Sequence, residues 1–279
     1  MVIGAARDGP HAPEPGAHRH LPRERTAAPA TVLWHELECG FYRADLALWR
    51  ELADREGGPI LDIGAGTGRV SMMLADAGHE VVAVDLDETL LHALRERDAA
   101  AKVQTVCADA RGLALGRSDF GLCIVPMQTI QLLGGSPGRL AFLRAARAHQ
   151  RRGGALACAI ASALEPFDCA RGDPAPVPDS MRVGDVLYVS SPTRVKVRRG
   201  SLLIERERLL VFLRRDTRGA EGGSAGYVEA LGRSVIELDR LSPAQLQREA
   251  SEVGLRPEPT RRVPASEEHT GSAVVILRA

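Results

Sequence analysis

Lysine is almost missing from this chain: only Lys102 and Lys196 occur in 279 residues, against abundant arginine and alanine. The imbalance fits the coding bias of a GC-rich bacterial genome and carries no mechanism. Surplus charge is missing too, since 36 basic side chains meet 36 acidic ones, so the basic excess of non-specific nucleic-acid binders is absent. Cysteine is sparse and odd in number. Cys39, Cys107, Cys123, Cys158 and Cys169 form no Cys-x-x-Cys pair, which argues against a disulfide framework and a zinc site and fits a reducing cytoplasm. No long apolar run appears. Ala155 to Leu164 is half the length of a membrane-spanning helix, which needs about 20 residues, and Met1 to Ala30 scatters Pro, His and Arg without an apolar h-region. A soluble cytoplasmic protein with a disordered tail over 1–30 is expected, with neither a membrane nor a nucleic-acid partner; the oligomeric state is left open.

What is present centres on Ile60 to Arg69, Ile-Leu-Asp-Ile-Gly-Ala-Gly-Thr-Gly-Arg. An apolar run carrying Asp62 ends in Gly64, Gly66 and Gly68 and opens an amphipathic segment with Val70, Met73, Leu74 and Ala77. That pattern predicts a strand, a tight turn and a helix. Glycines let the backbone turn and a ligand approach beside a helix N-terminus, so a nucleotide-like cofactor is expected. The dinucleotide fingerprint needs a third glycine three residues after the second; Arg69 or Ser71 stands there instead. A nicotinamide-dependent oxidoreductase is therefore disfavoured.

Downstream, strand-like runs alternate with helical stripes. Glu80 to Val84 ends at Asp85, roughly 20 residues beyond the glycines, where a carboxylate can accept from both ribose hydroxyls. Asp87 suits a helix N-cap better, ahead of Leu90, Leu91 and Leu94. Lys102 to Cys107 predicts a third strand ending at Asp109, Phe120 to Val125 a fourth that delivers Pro126-Met127-Gln128-Thr129, and Ala155 to Ala161 a fifth after the helix Pro137 to Arg151. Before the first strand, one or two helices span Thr31 to Arg55. Such alternation implies a doubly wound, mostly parallel α/β sheet.

The arrangement Asp62-x-Gly64-x-Gly66-x-Gly68, with the acids at Asp85 and Asp109, resembles the class I S-adenosylmethionine-dependent methyltransferases. The resemblance implies a Rossmann-like seven-stranded sheet with S-adenosylmethionine as cofactor. Methyl transfer to an O, N, S or C nucleophile of a small-molecule acceptor would follow. A non-catalytic cofactor-binding protein on the same scaffold is the alternative. Cofactor candidates carried over are Tyr42, Asp62, Gly64, Ala65, Gly66, Gly68, Asp85, Leu86, Asp109, Ala110 and Pro126, with Asp109 accepting from adenine. Tyr42 and Trp49 either close the site or merely pack. The loop at Gln128 should face the transferred methyl, and His269 is a candidate base or a surface hairpin histidine. Covalent base methylation is excluded by Met127, which stands where a nucleophilic cysteine would be needed.

From Glu165 the pattern changes. Val186 to Ser190, Thr193 to Val197, Leu202 to Phe212 and Tyr227 to Leu238 read as strands, with a hairpin at Arg199-Gly200. Arginines crowd Arg194 to Arg218, either for an anionic substrate or, favoured by the alternation, as a solvated sheet face. Leu241 to Leu246 starts a helix, with Ser242 as cap, Pro243 first, Gln245 reaching back and Leu241 stapling to Leu246. Arg256 to Val263 and Ala273 to Leu277 complete the sheet. The expected division is tail 1–30, helical segment 31–58, cofactor core 59–164, antiparallel β insertion 165–238 as substrate cap, and 239–279 closing the core. The insertion is expected to choose the acceptor without affecting the cofactor.

Overall fold

The computed structural model describes residues 29–161, 164–213, 225–265 and 270–279. The tail expected over 1–30 lies, through residue 28, outside the described residues, and so do Arg214, Arg215, Arg218 and His269.

Helix α1 (Ala30–His35) runs into a π-helical turn (Glu36–Gly40), and α2 (Leu46–Glu56) follows. Then β1 (Ile60–Ile63), α3 (Arg69–Asp76), β2 (Val81–Asp85), α4 (Glu88–Arg97), β3 (Val103–Cys107), β4 (Phe120–Val125), α5 (Gly135–His149) and β5 (Gln150–Ile160) alternate along the chain. The first sheet is closed by α6 (Pro243–Glu252), β11 (Arg256–Pro257), β12 (Arg261–Val263) and β13 (Ser272–Arg278). Its order is β11-β13-β5-β4-β1-β2-β3, with β12 also on β13. β1 to β5 pair in parallel and β13 runs antiparallel to β5. This is the doubly wound α/β sheet the alternation predicts.

Each central strand is apolar on both faces because each face carries a helical layer. On one side Leu61, Ile63, Cys123, Val125, Leu156 and Cys158 pack with Phe142 and Leu143 of α5 and Leu246 and Ala250 of α6. On the other, Ile60, Leu122, Ile124, Ala155 and Ala157 pack with Trp49 and Leu52 of α2 and Val70 and Leu74 of α3.

Between β5 and α6 lies a second, antiparallel sheet of β6 (Phe167–Asp168), β7 (Asp179–Val183), β8 (Val186–Val197), β9 (Ser201–Leu213) and β10 (Ala225–Asp239), ordered β10-β9-β8-β6 with β7 on β8. Several local expectations need correction. The runs 186–190 and 193–197 are one strand, whose pairing slips between Pro192 and Arg194 because proline has no N–H for the ladder. β7 precedes the first strand expected in this region; its signal is Gly184-Asp185, a two-residue turn with Gly184 at φ 60°. The sixth strand is split into β11 and β12, with Pro259, which has no N–H to donate, in the gap between them. Ser242 caps α6 by accepting from the Gln245 N–H at 3.2 Å, but the Gln245 side chain turns forward to Glu249, 3.2 Å away.

The two sheets are tied by a buried charge cluster. Arg139 of α5 donates from Nε and Nη2 to Glu249 of α6, both at 2.7 Å, and from Nη1 to Asp239 at the end of β10, also at 2.7 Å. Its side chain is only 3% exposed, so removing the cation leaves the buried Glu249 carboxylate, 6% exposed, without a charge partner. Arg139→Met should therefore lower the unfolding free energy by about 3–5 kcal/mol in urea titrations; a loss under about 1 kcal/mol would show that the cluster contributes no net stability.

Candidate functional site

Every second residue of the turn after β1 is glycine for a measurable reason. Gly64, Gly66 and Gly68 adopt φ of 71°, 56° and 87°, which L side chains resist. A Cβ on Gly64 would lie 2.5 Å from Thr129 Oγ1, and one on Gly66 would lie 2.5 Å from the His35 ring. The loop is thus crowded from two sides, by the end of β4 and by α1. Gly66 N–H donates to Asp85 Oδ2 at 2.8 Å, while Asp85 Oδ1 accepts from Asp87 N–H at 2.9 Å. Asp87 is the N-cap of α4, accepting from Thr89 N–H at 2.8 Å, as its sequence position implied.

Asp62 sits beneath this loop, 1% exposed. Its Oδ2 accepts from Ser71 Oγ at 2.6 Å, but Oδ1 is buried with no hydrogen-bond partner in the protein. Burial pushes its carboxyl up to about 6 despite the Ser71 hydrogen bond and the Arg69 charge. An orphaned carboxylate oxygen beside a glycine loop suits a ligand carrying a cationic donor. Arg69, first in α3, donates to Asp45 Oδ1 at 2.6 Å and Oδ2 at 2.8 Å and to the Tyr42 carbonyl at 2.8 Å. Asp45 also accepts from Trp49 Nε1 at 2.8 Å. Trp49 is therefore a buried packing residue of this clamp, while Tyr42 faces a pocket.

That pocket measures about 310 Å³. Met127 and Gln128, at the carboxyl edge of β4, form one wall; Leu37, Glu38, Cys39, Phe41 and Tyr42 form another; Asp179 and Ser180 of β7 close it, with Thr270 and Ser272 at the rim. Met127 has φ 56°, a strained conformation for a residue with a Cβ and one often found at functional loops. Pro126 is buried just before it. On the other side of β1, Leu86 is 71% exposed beyond β2, and Asp109 and Ala110 follow β3. Asp109 caps the short turn there by accepting from Arg111 N–H at 2.9 Å, and the Arg111 side chain and backbone hold its carboxyl below the ordinary range.

The structure thus brings Asp62, Gly64, Ala65, Gly66, Gly68 and Asp85 to one loop, Leu86, Asp109 and Ala110 to the neighbouring strand ends, and Tyr42 and Gln128 to the pocket. Glu38, Asp179 and His35 were missed from sequence. His35 and Glu38 carried no signal beyond a helical stripe, and Asp179 stood in a segment rich in proline, glycine and aspartate. The arginine-rich stripe is also divided rather than uniformly solvated. Arg206 and Arg208 turn inward to Glu38 and its neighbours, whereas Lys196, Arg198 and Arg199 are exposed. No cluster of three or more metal-ligating side chains occurs among the described residues, and none of their helices is long and apolar enough to cross a membrane.

Asp62 makes a pH prediction. Its folded pKa of about 6 lies above the ordinary value of about 3.9, so the folded state holds the proton more tightly. The resulting stabilisation is complete below pH ~4 and is lost as pH rises through ~6. Asp62→Asn cannot ionise and should lack this loss, becoming the more stable protein above pH ~6 in melting curves taken from pH 4 to 8. Parallel curves for the two proteins would show that Asp62 is not the group responsible.

Residues 60–154 match the family model described as "Methyltransferase domain". A stretch of 100 residues is 35% identical to the cypemycin N-terminal methyltransferase of a Streptomyces species, covering 36% of this chain and 40% of that relative. The match therefore spans less than half the length of the curated relative. Among solved structures, the sugar N-methyltransferase KedS8 from Streptoalloteichus aligns over 95% of this chain and all of its own at 16% identity, with a TM-score of 0.66. CalS10, an amino pentose methyltransferase from Micromonospora echinaspora solved with S-adenosylmethionine bound, aligns over 94% of this chain and all of its own at 18% identity and a TM-score of 0.65. These structural likenesses concern the fold. The family match thus falls on the strands that carry the glycine loop, and the overall fold is shared with solved S-adenosylmethionine-dependent methyltransferases.

Proposed function

We propose that the chain transfers the methyl group of S-adenosylmethionine to a nitrogen of a small amine-bearing acceptor. The observation carrying this reading is the pocket, in which Met127 and Gln128 at the carboxyl edge of β4 face Asp179 and Ser180 of the second sheet. Open α/β folds bind ligands at that edge. Thr129, the residue after Gln128, packs against Gly64 and so links this pocket to the glycine loop.

The residues present fit the cofactor. The buried, unpartnered Asp62 Oδ1 suits its ammonium, the turn over residues 64–68 would hold its methionine end, and Asp85 suits the ribose hydroxyls. Exposed Leu86, with Asp109 and Ala110, would take the adenine, and Tyr42 and Pro126 flank the reacting end. When bound, S-adenosylmethionine supplies an electrophilic methyl on its sulfonium. The protein's part is alignment and exclusion of water, which can supply most of the acceleration without a dedicated base. Leu37, Phe41, Val177 and Pro178 give the pocket its apolar wall.

Nitrogen is favoured by Asp179. Its Oδ2 accepts from Arg206 Nη2, and its other oxygen, without a partner among the described residues, is left for an N–H donor in the pocket. Gln128 adds an amide carbonyl to the same pocket. The named relatives, an N-terminal methyltransferase and a sugar N-methyltransferase, point the same way. The second sheet, corresponding to the insertion, acts as the acceptor cap. A bacterial cytoplasm is the setting we infer, from the cysteine pattern and from a relative of bacterial source.

Transfer of labelled methyl to matched amine and alcohol acceptors tests the reading. Label should enter the amines; incorporation confined to alcohols would reassign the atom, and binding of S-adenosylhomocysteine without any transfer would make the chain a non-catalytic binder. Asp179→Asn should raise the acceptor KM about tenfold with kcat changed less, the size of one lost charge-assisted hydrogen bond. Asp85→Ala should weaken S-adenosylhomocysteine binding by ~1–3 kcal/mol in calorimetry, whereas Asp87→Ala should leave affinity intact and reduce stability by ~1 kcal/mol. The reverse pattern would exchange the roles of these two acids.

A further inference from the structure

The π-helical turn at Glu36–Gly40 has one end on the glycine loop and the other on the second sheet. π-helical turns cost hydrogen-bond regularity and often mark functional positions. At the loop end, Thr67 Oγ1 donates to Glu36 Oε1, which also accepts from Arg97 Nη1 at 2.8 Å, and the His35 ring lies against Gly66. A Cβ at Gly40 would stand 2.7 Å from Glu36 Oε2 and would displace that side chain. At the sheet end, Glu38 Oε1 accepts from Ser190 Oγ at 2.7 Å and Arg208 Nε at 2.9 Å, and Oε2 accepts from Arg208 Nη2 at 2.8 Å. Arg208 in turn lies over the Trp34 ring, 5.1 Å from its centroid, and Trp34 meets Tyr188 edge to face at 5.3 Å. Arg206 joins the same cluster, donating from Nε to Ser190 Oγ at 2.8 Å and from Nη2 to Asp179 in the pocket wall.

Glu38 makes no hydrogen bond to the glycine loop among the described residues, yet it is the turn's polar attachment to the second sheet. Burial alone would raise its carboxyl; the hydrogen bonds from Arg208 and Ser190 outweigh it and keep the group ionised in the clamp. We propose that Glu38 is a positioning residue for the cofactor loop: by fastening the turn to the second sheet, it holds His35 and Glu36 at Gly66 and Thr67, so the acceptor cap influences cofactor affinity. This rests on the methyltransferase reading above, and it replaces the expectation that the insertion affects the acceptor alone. Coupling of this kind is reciprocal, so a cofactor that engages His35 would also bias the acceptor wall at Leu37, Glu38 and Cys39.

The test is a double-mutant cycle read as S-adenosylhomocysteine affinity by calorimetry, with Glu38→Gln, His35→Ala and the pair. Gln keeps the shape and one acceptor, so the fold should persist, as circular dichroism would show; Ser190→Ala is a milder second lesion of the same clamp. Glu38→Gln should weaken binding about fivefold or more in the native background and less than twofold in the His35→Ala background. Equal fold-changes in both backgrounds would reveal a merely structural role and overturn the proposal, and so would unchanged affinity in Glu38→Gln. If the native protein itself failed to bind S-adenosylhomocysteine, the methyltransferase reading would fall first, and this proposal with it.

Discussion

The absence of room for a Cβ at Gly64 and Gly66 is the constraint on which the site depends. Thr129 Oγ1 occupies that space at Gly64 and the His35 ring does so at Gly66, each 2.5 Å from where the atom would be. Three distant segments therefore converge on one glycine turn: the start of the chain, the edge of β4 and the strand carrying Asp62. A branched residue at Gly66 would collide first with His35 and only secondarily with a ligand. The glycines serve protein packing as much as cofactor access.

Around that turn, ionic groups are placed where water is excluded and each is matched. Arg69 with Asp45, Arg139 with Glu249 and Asp239, and Glu38 with Arg208 each join parts of the chain far apart in sequence. Buried pairs contribute little net stability against apolar replacements, but their geometry is demanding, so they specify one docking of the elements they connect. Asp62 is the exception. It keeps an unpartnered buried oxygen and an elevated pKa, and such a cost to the free protein is what a ligand-binding carboxylate would show.

Much of the core was legible in the sequence. The first five strands, their helices and the caps at Asp87 and Ser242 follow from apolar periodicity and short-range hydrogen bonding, which act within a few residues. The placement of the glycine turn and of the acids at strand ends was readable for the same reason, since they sit at fixed distances along the chain. Less was legible beyond residue 161. β7 hid in a polar stretch, two expected strands are one continuous β8, and the expected sixth strand is split into β11 and β12.

The sequence by itself determined the doubly wound sheet, the glycine turn after β1 and the strand-end placement of Asp85 and Asp109, because local periodicity and turn chemistry decide these. Only the tertiary structure decided which side chains meet across the pocket. Glu38 and Arg208 are 170 positions apart, and Asp179 reaches the wall opposite Gln128 through the pairing of β7 with β8. No periodic pattern encodes such meetings. They arise when two sheets and an N-terminal turn bury apolar surface together, with Arg208 turned inward over the cluster of Trp34, Leu37 and Tyr188.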